Sequence, residues 1–182
     1  MRRPAILLVP LALALAACTQ KPVGAPESGY TGNQTPTPQA QTTTAAKPPT
    51  SPVPAADGKC PYLDNNFVAQ ANGQRVSKTK VSADKPHPAC FFYRSDGRLQ
   101  LTVQVYVGDA TLAKALVDQA APVDTSDPAK LSTGWTGGSQ KTQTGAVYAV
   151  AKGGSAVVIS TNQAQTIKAK RVAEQAIEEL GL

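Results

Sequence analysis

Ser77-Lys78-Thr79-Lys80 and Ser82-Ala83-Asp84-Lys85 each set a hydroxyl three residues ahead of an ammonium, the spacing at which a lysine one helical turn away activates a nucleophilic serine. That chemistry needs a helix start. Arg75 to Val81 instead mixes basic and β-branched residues and reads as a strand, exposed or at a sheet edge, and the companion S-D-N and K-T-G motifs are missing. The single histidine, His87, sits in Pro86-His87-Pro88, an extended stretch whose own stiffness makes it a loop residue. No G-x-S-x-G elbow occurs, and Asp96 and Asp109 are engaged by a turn and a helix start, so no carboxylate pair is left for acid–base work. Cys60 and Cys90 show neither CxxC spacing nor convergent histidines, which argues against a metal or redox site. No catalytic residue, metal or cofactor is expected, and the chain reads as a non-enzyme.

The third cysteine has a different setting. Arg2 and Arg3 precede an apolar run from Ala5 to Ala14, a basic n-region and short h-region too brief to span a bilayer. Leu15-Ala16-Ala17-Cys18 follows and resembles the bacterial lipobox at every position. The resemblance implies a signal peptide over 1–17, cleavage before Cys18, diacylglycerol on the Cys18 sulfur and an acyl chain such as palmitate on the new amine. The mature protein is then expected to be lipid-anchored on the outer face of the cytoplasmic membrane. The formal charge of +6 includes Arg2 and Arg3, and basic residues alternate with acids along the rest of the chain. So modest a charge on an exported protein points to anionic lipid or wall polymer and away from nucleic acid.

Residues 18–58 are rich in Pro, Thr, Ala, Gln and Gly, with Pro48-Pro49 and Pro52-Val53-Pro54 among the runs. So little apolar surface cannot offset chain entropy, and the segment reads as a disordered stalk with an r.m.s. reach of about 35 Å. Ser and Thr beside Pro also suit O-glycosylation. A single globular domain is expected over 59–182. Cys60 and Cys90 allow one pairing in a compartment that permits disulfides, closing a loop worth about 3.5 kcal/mol of unfolded-state entropy.

Within that domain the pattern of apolar residues sets the elements. Leu63, Phe67, Val68 and Ala71 recur at helical spacing between Asp64 and Asn72-Gly73. Phe91-Phe92-Tyr93, Ser95-Asp96-Gly97 and Leu99 to Val107 read as a hairpin whose second arm alternates, with Gln100, Thr102 and Gln104 outward. Asp109 caps a helix from Ala110 to Ala120 with Leu112, Ala115 and Leu116 on its stripe. Ala146 to Ala151 and Ser155 to Thr161 flank a Gly153-Gly154 turn, and a last helix runs from Gln163 to Gly181. Near its start, Lys168, Lys170 and Arg171 oppose the helix dipole at small cost, with Arg171 expected to pair with Glu174. The order α-β-β-β-α-β-β-α predicts an α+β fold: an antiparallel sheet of about five strands with helices packed on one face and one disulfide.

Cys60-Pro61-Tyr62-Leu63, Ala89-Cys90-Phe91-Phe92-Tyr93, the alternating strand and the Gly-rich hairpin before a C-terminal amphipathic helix resemble an actinobacterial cell-envelope lipoprotein family known only as a domain of unknown function. The resemblance spans 59–182 and implies a surface lipoprotein with an α+β domain and a disulfide. It brings no catalytic residues.

Val123 to Thr144 is too long for an unstructured connection in a compact domain, so it holds either a hidden strand or a functional loop. Trp135 lies in it between Gly134 and Thr136-Gly137-Gly138, an aromatic face among flexible small residues. Trp135, Gly134 and Gly137 are therefore the expected ligand-binding residues, stacking on a sugar or lipid; the competing placement has Trp135 plugging the core. The function expected is a non-enzymatic binding or accessory role at the envelope, toward a protein, glycan or lipid. A lipid or glycolipid carrier with an apolar pocket is the alternative, and a cell-wall-acting enzyme comes third.

Overall fold

The computed structural model describes residues 49–182; the expected signal peptide, Cys18 and the stalk as far as Pro48 lie outside the described residues. In chain order the elements are β1 (Ala56–Asp57), α1 (Asn65–Asn72), β2 (Lys78–Val81), β3 (Cys90–Tyr93), β4 (Leu99–Val107), α2 (Ala110–Ala120), β5 (Asp127–Lys130), β6 (Thr136–Thr142), β7 (Gly145–Lys152), β8 (Ser155–Thr161) and α3 (Thr166–Leu180). The strands form one antiparallel sheet in the order β1-β2-β3-β4-β8-β7-β6-β5. The fold is α+β as expected, but with eight strands where about five were expected.

Alternation makes β4 and β8 the centre of that sheet. They pair from Leu101 opposite Thr161 to Val107 opposite Ser155. Leu101, Val103 and Val105 join Val157 and Ile159 on one face, beneath Ala169, Val172, Ala173, Ala176 and Ile177 of α3 and Val68 and Ala71 of α1. Successive strand residues point to opposite faces, so Ala156 and Val158 look the other way, where Ala113, Leu116, Val117 and Ala121 bring in α2. Helices therefore cover both faces rather than one. Ala113 and Val117, rather than Leu112 and Ala115, fill the deep positions of α2, which tilts its stripe toward the small residues of β7.

The three unforeseen strands each have a local cause. β5 carries Pro128 and lies at the sheet edge, the position where a strand proline leaves no ladder bond unmade. β6 reads Thr-Gly-Gly-Ser-Gln-Lys-Thr, a poor strand sequence whose glycines answer to α2. A Cβ on Gly137 would stand 2.0 Å from the Ala149 carbonyl oxygen and 2.9 Å from Val117 Cγ1. Two residues, Ala56 and Asp57, pair with Val81 and Lys80 to make β1. The folded chain thus starts upstream of Lys59, and β2 is not the edge strand it resembled. Main-chain bonds to a strand already in place need no apolar sequence, which is why this part of the stalk folds.

Capping follows the side chains. Asp64 Oδ1 accepts from the Asn66 and Phe67 amides at 2.7 and 3.3 Å, and Asp109 Oδ1 from those of Thr111 and Leu112 at 2.8 and 3.0 Å. The β7–β8 turn places Gly153 at φ +56°, and Gly154 lies so close to the Gly108 carbonyl that a Cβ would approach it to 2.1 Å. At α3 no side chain caps the start. Lys168 Nζ instead donates to the main-chain oxygen of Asn72 (3.1 Å), placing its cation at the C-terminus of α1, where the dipole welcomes it. Lys170 takes Glu174 as its partner at 3.8 Å, and Arg171 lies over the Phe67 ring, so the expected Arg171–Glu174 pair does not form.

A bulge between Phe92 and Tyr93 also turns Gln100 inward, against the expected outward face. Its Oε1 accepts from Asn72 Nδ2 (3.0 Å) and its Nε2 donates to the Arg75 carbonyl (3.0 Å). Thr161 Oγ1 donates to Asn72 Oδ1, so one fully buried asparagine joins α1 to the ends of β4 and β8.

Cys60 and Cys90 form the expected disulfide, tying the chain before α1 to β3 across a sequence separation of 30. Reduction should lower the melting temperature by roughly 10 °C, from a loop term of about 3.5 kcal/mol. Differential scanning calorimetry with and without reductant measures it, and peptide mapping under non-reducing conditions identifies the pair.

Candidate functional site

The residues with chemical potential come first. Ser82 Oγ donates to Asp84 Oδ2 at 2.6 Å and accepts from the Ala89 amide at 2.8 Å, which fixes it as the brace of a loop. Ser77 precedes β2 and Lys80 lies within it, so neither Ser-x-x-Lys spacing falls on a helix. His87 is half-buried in the same loop and borders a cleft with Asp84 and Lys85. Asp96 closes the β3–β4 turn. Hydrogen bonds from the Arg94 side chain and the Arg98 amide hold its carboxylate well below the usual range, although the group is exposed. Among the described residues no cluster of His, Cys, Asp or Glu is placed to hold a metal ion.

Trp135 is a core residue. It is 0 % exposed and packs in the cluster that holds Tyr148, Val150 and Ile159, because it immediately precedes β6 and points beneath the sheet toward α3. The ligand-binding assignment of Trp135 is corrected accordingly. Gly134, exposed at φ +87°, turns the chain between β5 and β6, where the Leu131 amide donates to the Trp135 carbonyl at 3.0 Å. Gly137 lines a cavity, and it does so from the opposite face of the sheet.

That face carries the cavities. α2 lies along β7 and β8, and a groove runs down each of its flanks. On the β5–β6 side, Gly137, Pro128 and Ala151 form the floor and Val117 and Ala121 the wall of a cavity of about 540 Å³. Its rim holds the Lys114–Asp118 ion pair and Val123, which is 74 % exposed. On the β4 side, Leu116 and Ala120 face Phe91, Val147 and Val158 across about 370 Å³, with Thr102, Gln104 and Ser160 as polar groups. Here the far wall is made by Pro49, Ser51 and Pro52, a strap of chain leading into β1. Beyond the strap lies the His87 cleft, about 440 Å³, bordered by Pro49, Thr50, Ser51 and Gln104 as well. All three are open to solvent.

The arrangement suits gripping a surface. Apolar floors with a few polar groups at the rim, among them the Lys114–Asp118 ion pair, favour contact with an apolar or amphipathic partner, and the volumes fall in the range of small-molecule sites. The sequence signal for it was the glycine pair of β6, whose small size admits α2 while leaving the flanking floor shallow.

Two buried aromatics supply tests. Trp135→Ala should cost about 3 to 5 kcal/mol, whereas Trp135→Phe, which keeps the packing and removes an indole N–H that has no partner among the described residues, should cost much less. Urea titration followed by circular dichroism separates the two. The Tyr148 phenol is pushed up to about 12, first by burial and then by Glu174. The unfolded chain releases that proton nearer its ordinary value, so stability should fall as pH rises between about 10 and 12. Tyr148→Phe should flatten that decline in melting temperature against pH and leave it unchanged at pH 7.

A family model for a domain of unknown function, DUF2020, matches residues 43–182. No curated protein matches the chain. The match takes in β1, the strap and the whole sheet, and with it the chain belongs to the DUF2020 family.

Proposed function

We propose that this protein is an exported lipoprotein of the actinobacterial envelope, anchored through Cys18 to the outer face of the cytoplasmic membrane, with a non-enzymatic binding role toward an envelope protein, glycan or lipid. The lipobox resemblance supports the address. The observation that supports binding is the α2 face, where two solvent-open grooves with apolar floors flank one helix. A carrier of lipid or glycolipid would draw on the same apolar lining. Grooves this open leave an acyl chain facing water, which favours recognition over transport. A wall-acting enzyme has less support still, since Ser82 is fastened in its loop.

Detergent partitioning tests the anchor: the wild type should enter the detergent phase and Cys18→Ala should remain aqueous or stay an uncleaved precursor. A wild type found wholly in the aqueous phase would overturn it. Native mass spectrometry of protein released from its own membrane tests the role. The expected mass is the chain with its anchor, and a stoichiometric additional lipid would replace the binding reading with the carrier.

A further inference from the structure

The strap is lightly secured, yet it covers a face that needs covering. Phe91 points from β3 to the α2 side of the sheet, opposite Thr102, and is 4 % exposed where α2 does not reach. Pro49-Thr50-Ser51-Pro52 lies along that face between the two cavities. Its one side-chain hydrogen bond among the described residues runs from Gln104 Nε2 to the Thr50 carbonyl at 3.4 Å, near the limit for such a bond. Among the described residues, main-chain bonds secure it where it meets β2, from the Ala55 amide to Val81 (2.9 Å) and from the Gly58 amide to Thr79 (3.2 Å), and there Asp57 of β1 pairs with Lys78 (3.1 Å) and Lys80 (3.8 Å). Val53 is 72 % exposed, and Thr50 and Ser51 are exposed too.

We propose that this face is an interface between copies of the chain, occupied by the strap and β1 of a second copy, so that two molecules exchange their N-terminal arms. The occupant is specified by what sits there already: an uncharged, extended, proline-containing strap on an uncharged floor of Phe91, Thr102 and Gln104, followed by β1, whose Asp57 meets Lys78 and Lys80 of β2. A second copy supplies that segment identically, so each exchanged contact repeats one made within a single chain and the pair closes on a twofold axis. Gly58 lies between the arm and Cys60, where the disulfide holds the rest of the chain to β3, so the arm can leave without unfolding the domain. Anchoring to one membrane raises the effective concentration of neighbouring arms to about the mM range. That last argument rests on the proposed anchor; the exchange itself does not.

The test is run in the Cys18→Ala background, so that loss of the anchor and loss of exchange are read separately. A chain carrying both Thr50→Cys and Gln104→Cys should close an internal disulfide, which shows that the strap lies where described. Chains carrying Thr50→Cys alone and Gln104→Cys alone are then mixed at about 1 mM and oxidised, the concentration being that of tethered arms. The expected product joins position 50 of one copy to position 104 of another, at least about tenfold above a control in which Asp118→Cys, on α2, replaces Gln104→Cys. Non-reducing gels and peptide mapping read it. Internal closure in the double variant without joining of mixed copies above the control overturns the proposal. Failure of the double variant to close removes the strap from this face and overturns it equally.

Discussion

β8 is buried on both faces, and that double burial sets the terms for its neighbours. Val157 and Ile159 look toward α3 and α1 while Ala156 and Val158 look toward α2, so a strand of seven residues serves two cores at once. The outer core is thin, and only small groups fit beneath α2. Ala149 and Ala156 provide them on β7 and β8, and on β6 even alanine is too large, as the 2.9 Å approach of a Cβ on Gly137 to Val117 Cγ1 shows. A single eleven-residue helix cannot cover eight strands. The grooves along its flanks, and the reliance of Phe91 on a strap, follow from that shortage of cover.

Much of this was legible where a residue's own pattern decides its structure. β4, α2 and β8 occupy the spans their periodicity marks, and both aspartate caps lie where a side-chain oxygen is needed. What escaped was decided by partners. The glycines of β6 make sense only with α2 above them, Pro128 only at an edge, and Ala56–Asp57 only beside β2. The same holds for Trp135. Its Gly-rich flanks suggested an exposed loop, but a strand begins at Thr136, and alternation then carries the indole under the sheet. Gln100 misled in the other direction, since a bulge cannot be read from alternating residues.

The electrostatics of α3 show how tertiary structure resolves a local conflict. Three cations in the first turns of a helix oppose its dipole when that helix is considered alone. In the fold, Lys168 serves the end of α1 and the buried asparagine there, Arg171 rests on Phe67, and Lys170 alone keeps an intrahelical partner. The charges therefore belong to the α1–α3 contact. Around Asn72 they complete a buried polar knot in which an amide, a hydroxyl, a second amide and an ammonium hold the register of two helices against two strands.

The disulfide has a mechanical consequence. A chain pulled from its N-terminus would first lose the strap and then peel β1, whose two residue pairs open one after another like a zip. At Cys60 the load changes course. It crosses the Cys60–Cys90 bond straight into β3, bypassing α1, β2 and the loop that holds His87, which hang as an unloaded bight between the two sulfurs. From β3 the pull enters the ladder toward β4 at the sheet interior. A domain dragged by its leash would thus give up about ten residues of slack and then stiffen abruptly, a fuse ahead of a bolt.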